Sequence, residues 1–330
     1  MKSPLSTKPG GMTRRAAFGL AAGAASLALG APSLRAASQR IRIGLATKTW
    51  WPSVVADVAV KQGLFAKAGL DPELTVYRSG GESFEAQAAG AADLITGLVS
   101  QIATGRTRGV NTKILALSAS ANTGWRLLVK TGSPIKDVKD IAGRKVGITT
   151  AGSLSDVMAL WTRAQHGIDF TSVPLGGGGL VPNLLSGNVD AAVVYSPLSF
   201  QTLQARQTVS LLDYAAAMPS HLAVSWSAPD TLIGKQPEML RAALAALYGA
   251  VVHLQKNRDE AVRIIAEANS VSEAVAAQEF EETFMKLSTD GRFTVAQVEA
   301  ASDLARLGGF KNLAPPDQIY TTAFTPVVAA

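Results

Sequence analysis

The chain of 330 residues contains no cysteine. That excludes disulfides, thiolate metal sites, cysteine nucleophiles and the lipidated cysteine of a bacterial lipoprotein. Histidine is scarce, with His166, His221 and His253 falling in a turn, a strand and a helix. Nothing pairs them at metal-ligand spacing, and no nucleophile–base motif accompanies them. We read each as structural and expect no metal and no cofactor. The glycine run at 176–179 is not followed by Gly-Lys-Ser/Thr, so it is not a P-loop. Charge is sparse as well, 17% against 47% hydrophobic residues. This is a globular composition in a chain long enough for two cores. The formal net charge of +6 is uneven, because Lys2, Lys8, Arg14, Arg15 and Arg35 stand in a first stretch that has no acid. Setting those five aside leaves 26 basic residues against 25 acidic ones. A body so near neutrality gives no support for a nucleic-acid or anionic-membrane surface.

The basic start ends at Arg14-Arg15 and runs into "AAFGLAAGAASLALGA", then small residues. This is the layout of an export signal, expected over 1–37 with cleavage near Ala36–Ser38. The apolar run is short and alanine-rich, too weak for a membrane span of about 20 residues. A buried Ala-rich helix is the alternative. "TRRAAFGL" is similar to a twin-arginine signal, with Phe18 one place later than usual, so both Tat and Sec export stay open. An exported chain without cysteine or anchor is expected to be a soluble periplasmic protein.

One module occurs twice. Gly81, Gly90 and Asp93 recur at the same offsets as Gly178, Gly187 and Asp190. Each set reads as a glycine loop, a short helix, a glycine stop suited to a left-handed cap, and an apolar strand. Upstream, "IRIGLATKT" from Ile41 matches "RKVGITTAG" from Arg144, a short strand opening into hydroxyls. A helical stretch and a second strand follow each, "LTVYR" and "TSVPL". Strand–helix–strand–glycine loop–helix–strand is a parallel α/β unit. Ligands of such sheets bind outside the carboxyl ends of the strands, here the Gly/Ser/Thr loops of both units. "WRLLVK" (125–130) and "HLAVSW" (221–226) read as two crossovers forming a two-stranded hinge. The expected organisation is one lobe from 38–124 with 225–330, and a second from 125–224. The tail is helical. Leu240, Leu244, Leu247, Tyr248 and Val251 share one face, after a start at Pro237, and further helices are expected over 258–268, 273–287 and 294–307.

With these stretches placed, the chain resembles the periplasmic solute-binding proteins of nitrate/sulfonate/taurine-type ABC transporters. The resemblance rests on "AVKQGLFAKAGLDPEL", "YRSGGESFEAQAAGAADLITG", "IKDVKDIAGRKVGITTAGSLSD", "LLSGNVDAAVVYSP", "QPEMLRAALAAL" and "LAPPDQIYTTAF", in that order and spacing. It implies the α/β fold of a type II periplasmic binding protein, two lobes joined by a two-stranded hinge. It implies also closure around a small molecule and delivery to an inner-membrane ABC permease by a monomer.

The leading site candidate is "TTAGSLSD" at 149–156, where a strand gives way to a helix. A helix start offers free N–H groups and partial positive charge, and Thr150, Gly152, Ser153 and Ser155 would add hydroxyls and bare backbone. Together they can hold an oxyanion without a cation. The alternative is an N-cap by Ser153 or Ser155 with nothing bound. Ser79, Gly80 and Gly81, and Gly177 in the second glycine run, can bring backbone close to a ligand. Gly97 to Ser100 end the next strand and are expected at the same cleft, Val99 and Ser100 as the ligand contacts. Of the adjacent Trp50 and Trp51, one is expected to pack and the other to wall the cleft. Tyr195 and Asn122 are similar candidates. Lys48, Arg78 and Glu82 are the nearest charges, and Glu82 in contact would favour a taurine-like zwitterion.

Three classes of function meet these observations. The first is a receptor for a sulfonate, taurine, nitrate, aromatic acid or thiamine-precursor pyrimidine. The second is an enzyme like the fungal thiamine-pyrimidine synthases, which use a cysteine-rich motif and histidine with iron. The third is a periplasmic sensor domain.

Overall fold

The computed structural model describes residues 38–330, so the expected export signal at 1–37 lies outside the described residues. Ten strands form two five-stranded sheets. They are β1 Gln39–Leu45, β2 Leu70–Val76, β3 Leu94–Gly97, β4 Thr112–Ala119, β5 Arg126–Lys130, β6 Lys145–Ile148, β7 Thr171–Pro174, β8 Ala191–Val194, β9 Thr208–Asp213 and β10 Val224–Pro229. The first sheet runs β2-β1-β3-β10-β4 and the second β7-β6-β8-β5-β9. In the first, β1 lies parallel to β2 and β3, and β10 is antiparallel to β3 and β4. In the second, β6 lies parallel to β7 and β8, and β5 is antiparallel to β8 and β9. The two orders are the same pattern.

The central strands β3 (LITG) and β8 (AAVV) are buried at every position, as a strand covered by helices on both faces must be. The aligned glycines and acids explain the module's geometry. Gly90 and Gly187 take positive φ at the ends of the helices Gly80–Ala88 and Leu180–Ser186. A side chain there would be strained, which is why glycine stands at both stops. Asp93 and Asp190 then accept from the backbone N–H of Arg42 and Lys145, each at 2.9 Å.

β5 and β10 do not themselves cross between the lobes. Each lies wholly inside a sheet, and the crossing falls to the short segments before them. Those segments run side by side, with Ala223 N–H donating to Ala119 O and His221 N–H to Ser120 O, each at 3.1 Å. The hinge is two-stranded in that sense. β4 and β9 complete the sheets beyond the repeat read from sequence. The tail forms helices Pro237–Lys256, Arg258–Asn269, Glu273–Glu282 and Val295–Leu307. The third stops short of the expected 287, at Thr283, and a 3-10 turn over Phe284–Lys286 follows.

Candidate functional site

The carboxyl ends of β1, β3, β6 and β8 face one another across the lobes. They border a small, partly open cavity of about 30 Å³. Ala46, Thr47, Trp50, Gly80, Thr96, Leu98 and Gln101 line it from one side, and Thr149, Ser153, Leu154 and Tyr195 from the other. Trp125 and Val224, at the crossovers, close its floor.

Hydrogen bonds join the lobes around this cavity. Thr150 Oγ1 donates to Ser79 Oγ at 2.9 Å, and Gln101 Nε2 to Gly152 O at 3.0 Å. Gly177 N–H donates to Arg78 O at 2.9 Å. The Tyr195 hydroxyl pairs with Thr49 Oγ1 at 2.9 Å. Burial pushes the Tyr195 phenol above its ordinary pKa, against the pull of the Thr47 and Thr49 hydroxyls, so it stays a neutral donor and acceptor. Glycine is required where the lobes meet. A Cβ on Gly177 would lie 2.6 Å from Thr47 Cγ2, and one on Gly81 2.7 Å from Thr150 Oγ1.

One wall is aromatic. Trp50 meets Trp125 edge-on at 6.0 Å between ring centroids, and Trp125 meets Tyr195 at 5.4 Å. Trp51 lies behind Trp50 and does not line the cavity. It opens the helix Trp51–Lys61 and is buried in the main core.

The opposite wall is the mouth of the helix Leu154–His166. Its N-cap is Ser153. The Thr149, Ser153 and Ser155 hydroxyls form a closed triangle with edges of 2.8, 2.9 and 3.0 Å. Asp156, in the first turn, takes the Gly152 N–H at 2.8 Å. Burial raises the Asp156 carboxyl above its usual range, while that N–H pulls it down. The helix mouth thus already carries an acid of its own. Of the predicted residues here, Ser153 lines the cavity, Thr150 and Gly152 serve the contact between lobes, and Ser155 is a fully buried corner of the triangle.

Among the described residues, no charged side chain lines the cavity. Arg78 pairs outward with Glu82 at 2.5 Å, and that guanidinium holds the Glu82 carboxyl below its usual range. Glu82 therefore lends nothing to a zwitterion's amine. Two polar atoms facing the cavity lack a hydrogen-bond partner, Thr96 Oγ1 and Thr47 Oγ1, the latter beside the Tyr195 hydroxyl.

Other expected site residues stand elsewhere. Val99 joins a second apolar cluster with Ile102, Ile114 and Val298, and Ser100 follows it along the helix Val99–Thr107. Leu98 is the residue that turns to the cavity after β3. Asn122 is buried at the hinge, behind the cavity. Ser79 caps its helix by accepting from Glu82 N–H. Sequence reading missed Thr96, Thr47, Gln101 and Trp125. Leu98, within the stretch 97–100 expected at the cleft, stands five residues after Asp93 as Tyr195 stands five after Asp190. Among the described residues no cluster of acids and histidines is placed to hold a metal, and no helix is long and apolar enough to cross a membrane.

The sequence of residues 55–261 matches the family described as NMT1/THI5 like. The chain belongs to that family. A protein of Brucella abortus described as a candidate binding protein is 25% identical over 297 residues, covering 85% of this chain and 89% of that one. The alkanesulfonate-binding protein SsuA of Xanthomonas axonopodis pv. citri, solved bound to MOPS, superposes with a TM-score of 0.72 at 17% identity, over 86% of this chain and 98% of that one. The desulfurization enzyme DszB superposes with a TM-score of 0.59 at 16% identity, over 87% and 97%. These two likenesses establish the fold of this NMT1/THI5-like chain, a periplasmic-binding-protein fold that serves a receptor in one neighbour and an enzyme in another.

Proposed function

We propose that this chain is the substrate-binding receptor of an ABC importer. It binds a small organic anion, sulfonate- or taurine-like or an aromatic acid, between lobes formed by 38–124 with 225–330 and by 125–224. It delivers that ligand to an inner-membrane permease, acting as a soluble periplasmic monomer exported through the signal at 1–37. The observation that carries this reading is the closed interface itself, four hydrogen bonds that join the lobes around an uncharged, aromatic-walled cavity. Such bonds form only when the lobes meet, so occupancy of the cavity and closure are linked, which is the signal a permease needs. The Thr149, Ser153 and Ser155 hydroxyls answer one another and no base, so no reaction is read into them. The anion's head is assigned to Thr149, Ser153 and the first N–H groups of the Leu154–His166 helix, with its body on Trp50, Trp125 and Tyr195.

A second reading, an uncharged thiamine-precursor pyrimidine, is favoured by one observation. Asp156 already takes the Gly152 N–H, and no cation stands by. Thermal unfolding of residues 38–330 against alkyl and aryl sulfonates, taurine, nitrate, aromatic carboxylates and the pyrimidine separates the two. A ligand at about 100 times its Kd adds about 2.7 kcal/mol. For a chain of this size the midpoint should rise by roughly 4 °C. A rise with organic anions is the expected result. A rise with the pyrimidine alone overturns the anion reading and keeps the receptor, while turnover of any member of the panel overturns the receptor itself.

A further inference from the structure

Gln101 stands between two spaces. On one side is the uncharged cavity just described. On the other is a partly open groove of about 710 Å³ on the outside of the first lobe. The Gln101 side chain is held at both ends. Its Oε1 accepts from Leu98 N–H at 3.3 Å, and its Nε2 donates to Gly152 O at 3.0 Å. It therefore acts as a fixed partition. Ala151 and Gly152, from the second lobe, complete the groove at that end. The volume falls in the range of small-molecule sites, about 300–1,000 Å³.

Two rings line this groove. Phe84 lies on bare helix backbone, because a Cβ on Gly105 would come within 2.7 Å of its ring. Phe310 enters from the loop that follows the helix Val295–Leu307. Ala314 N–H donates to Ala103 O at 3.1 Å and ties that loop to the helix Val99–Thr107. Both rings are half-buried, so each keeps surface for a ligand. The charges are set apart from their neighbours. Arg106, on the same helix, is paired with Asp230 at 3.0 Å, and Arg306 with Asp303 at 2.6 Å. Among the described residues, Arg108 and Lys311 line the groove, are exposed, and have no carboxylate partner. Glu85 is the one acid lining it there, and it too is unpaired. Two cations against one carboxylate leave the groove net positive, where the cavity has no charge at all.

We propose that this groove is a second ligand site, separate from the cavity, which takes an aromatic sulfonate or carboxylate with its acid on Arg108 and Lys311 and its ring on Phe84 and Phe310. It stands without the reading of the cavity. A guanidinium offers an acid two parallel donors, and the lysine adds a point charge. Because Ala151 and Gly152 belong to the other lobe, the groove is complete only when the lobes are closed.

Naphthalene-2-sulfonate and its uncharged counterpart naphthalene-2-sulfonamide, titrated calorimetrically into residues 38–330, test this. The sulfonate should bind about tenfold tighter than the sulfonamide, the gain from two partly exposed charged contacts. Arg108→Gln combined with Lys311→Gln should bring that ratio to about one, and both side chains are exposed, so the fold is kept. Phe310→Ala should weaken both compounds about fivefold and leave the ratio as it was. Lys136→Gln combined with Lys139→Gln removes two exposed cations outside the groove and should change nothing. A ratio that survives the substitutions at 108 and 311 overturns the groove, because the acid is then recognised elsewhere, and the receptor reading of the cavity stands. An equal loss from the substitutions at 136 and 139 overturns it as well, since a long-range field then explains the preference. Equal affinities in the wild type, or no binding of either compound, overturn it too.

Discussion

In the first module Asp93 accepts from the Arg42 backbone N–H at 2.9 Å, and its own N–H returns to Arg42 O at 2.8 Å. In the second, Asp190 and Lys145 repeat the pair at 2.9 Å in both directions. Gly44 and Gly147 sit in the same register against the central strands β3 and β8. At the strand ends the likeness stops. Where the first module has Trp50 before its helix, the second has Ser153, and where the first has Leu98, the second has Tyr195. All four line the cavity. Backbone pairing and strand register tolerate only a few residue types, so they repeat. Positions that face the cleft are free of that constraint, and at these two pairs the first half carries apolar side chains and the second hydroxyl-bearing ones.

The largest expected effect comes from how differently the tail supports the two modules. After Leu98, Val99 packs into an apolar cluster with Val298 and Ile319. After Tyr195, the hydroxyl of Ser196 meets Thr283 Oγ1, which bonds Glu279 Oε2 at 3.1 Å. Glu279 is fully buried, and Oε1 has no partner. Burial pushes its carboxyl from the usual 4.5 up to about 8, with the Ser196 and Thr283 hydroxyls pulling the other way and Glu282 adding repulsion. Folding therefore favours the protonated form. Its contribution is complete below pH ~4.5, declines as pH rises and is gone above about 8, a loss on the order of 5 kcal/mol. Urea unfolding from pH 5 to 9 should show that decline in the wild type, with Glu279→Gln removing it. A decline that survives the substitution would mean that the second module is not supported by a neutral acid.

Closure gives the next test. Gly177 and Gly178 are neighbours in one glycine turn. A Cβ on Gly177 would strike Thr47 and Tyr195, while one on Gly178 meets nothing within 4 Å. Neither has positive φ, so the backbone accepts alanine at both. Gly177→Ala should hold the lobes apart and weaken binding of the best ligand by about 100-fold, about 2.7 kcal/mol. Gly178→Ala should leave it within about threefold, a surface-scale change. Small-angle scattering with and without ligand would report the closure directly. Equal affinities for the two variants would show that the ligand does not need the closed interface.

The repeat made the fold legible. Paired glycine stops and paired acids have a backbone cause, and those positions appear in the sequence as fixed offsets. β4 and β9 lie outside the repeated stretch, and the alignment that revealed β1–β3 gave no reason to continue to them. The site was legible in part. Trp50, Gly80, Ser153 and Tyr195 stand at strand or helix ends and line the cavity. Val99, Ser100 and Trp51 lie one or two places along the chain from residues that do, and a helix turns each successive side chain by about 100° away from the cleft. Trp125 comes from a crossover, whose course depends on how the lobes sit together. Asp156 shows the same limit, since nothing in "TTAGSLSD" tells whether its acid faces solvent or returns to the loop.

The repeated acid offers the finest comparison. Asp93 holds more than backbone, because its carboxylate also takes the Arg42 guanidinium at 2.5 and 3.1 Å, whereas Asp190 takes the Lys145 N–H alone. The Asp93 pairing holds the Arg42 guanidinium above its ordinary pKa. Arg42 is more than a third exposed, so solvent screens much of that pairing. Asp190→Ala should cost about 1 kcal/mol for the lost N–H bond. Asp93→Ala should cost about 2 kcal/mol, the excess being the charged bond. Arg42→Met, which keeps the backbone N–H, should cost that excess and the Arg42 Nη1 bond to Gly90 O, about 2 kcal/mol together. Chemical denaturation of the three variants measures all of this in one buffer. If Asp93→Ala and Asp190→Ala cost the same, the guanidinium adds nothing, and the acid recurs in both modules for the backbone bond alone.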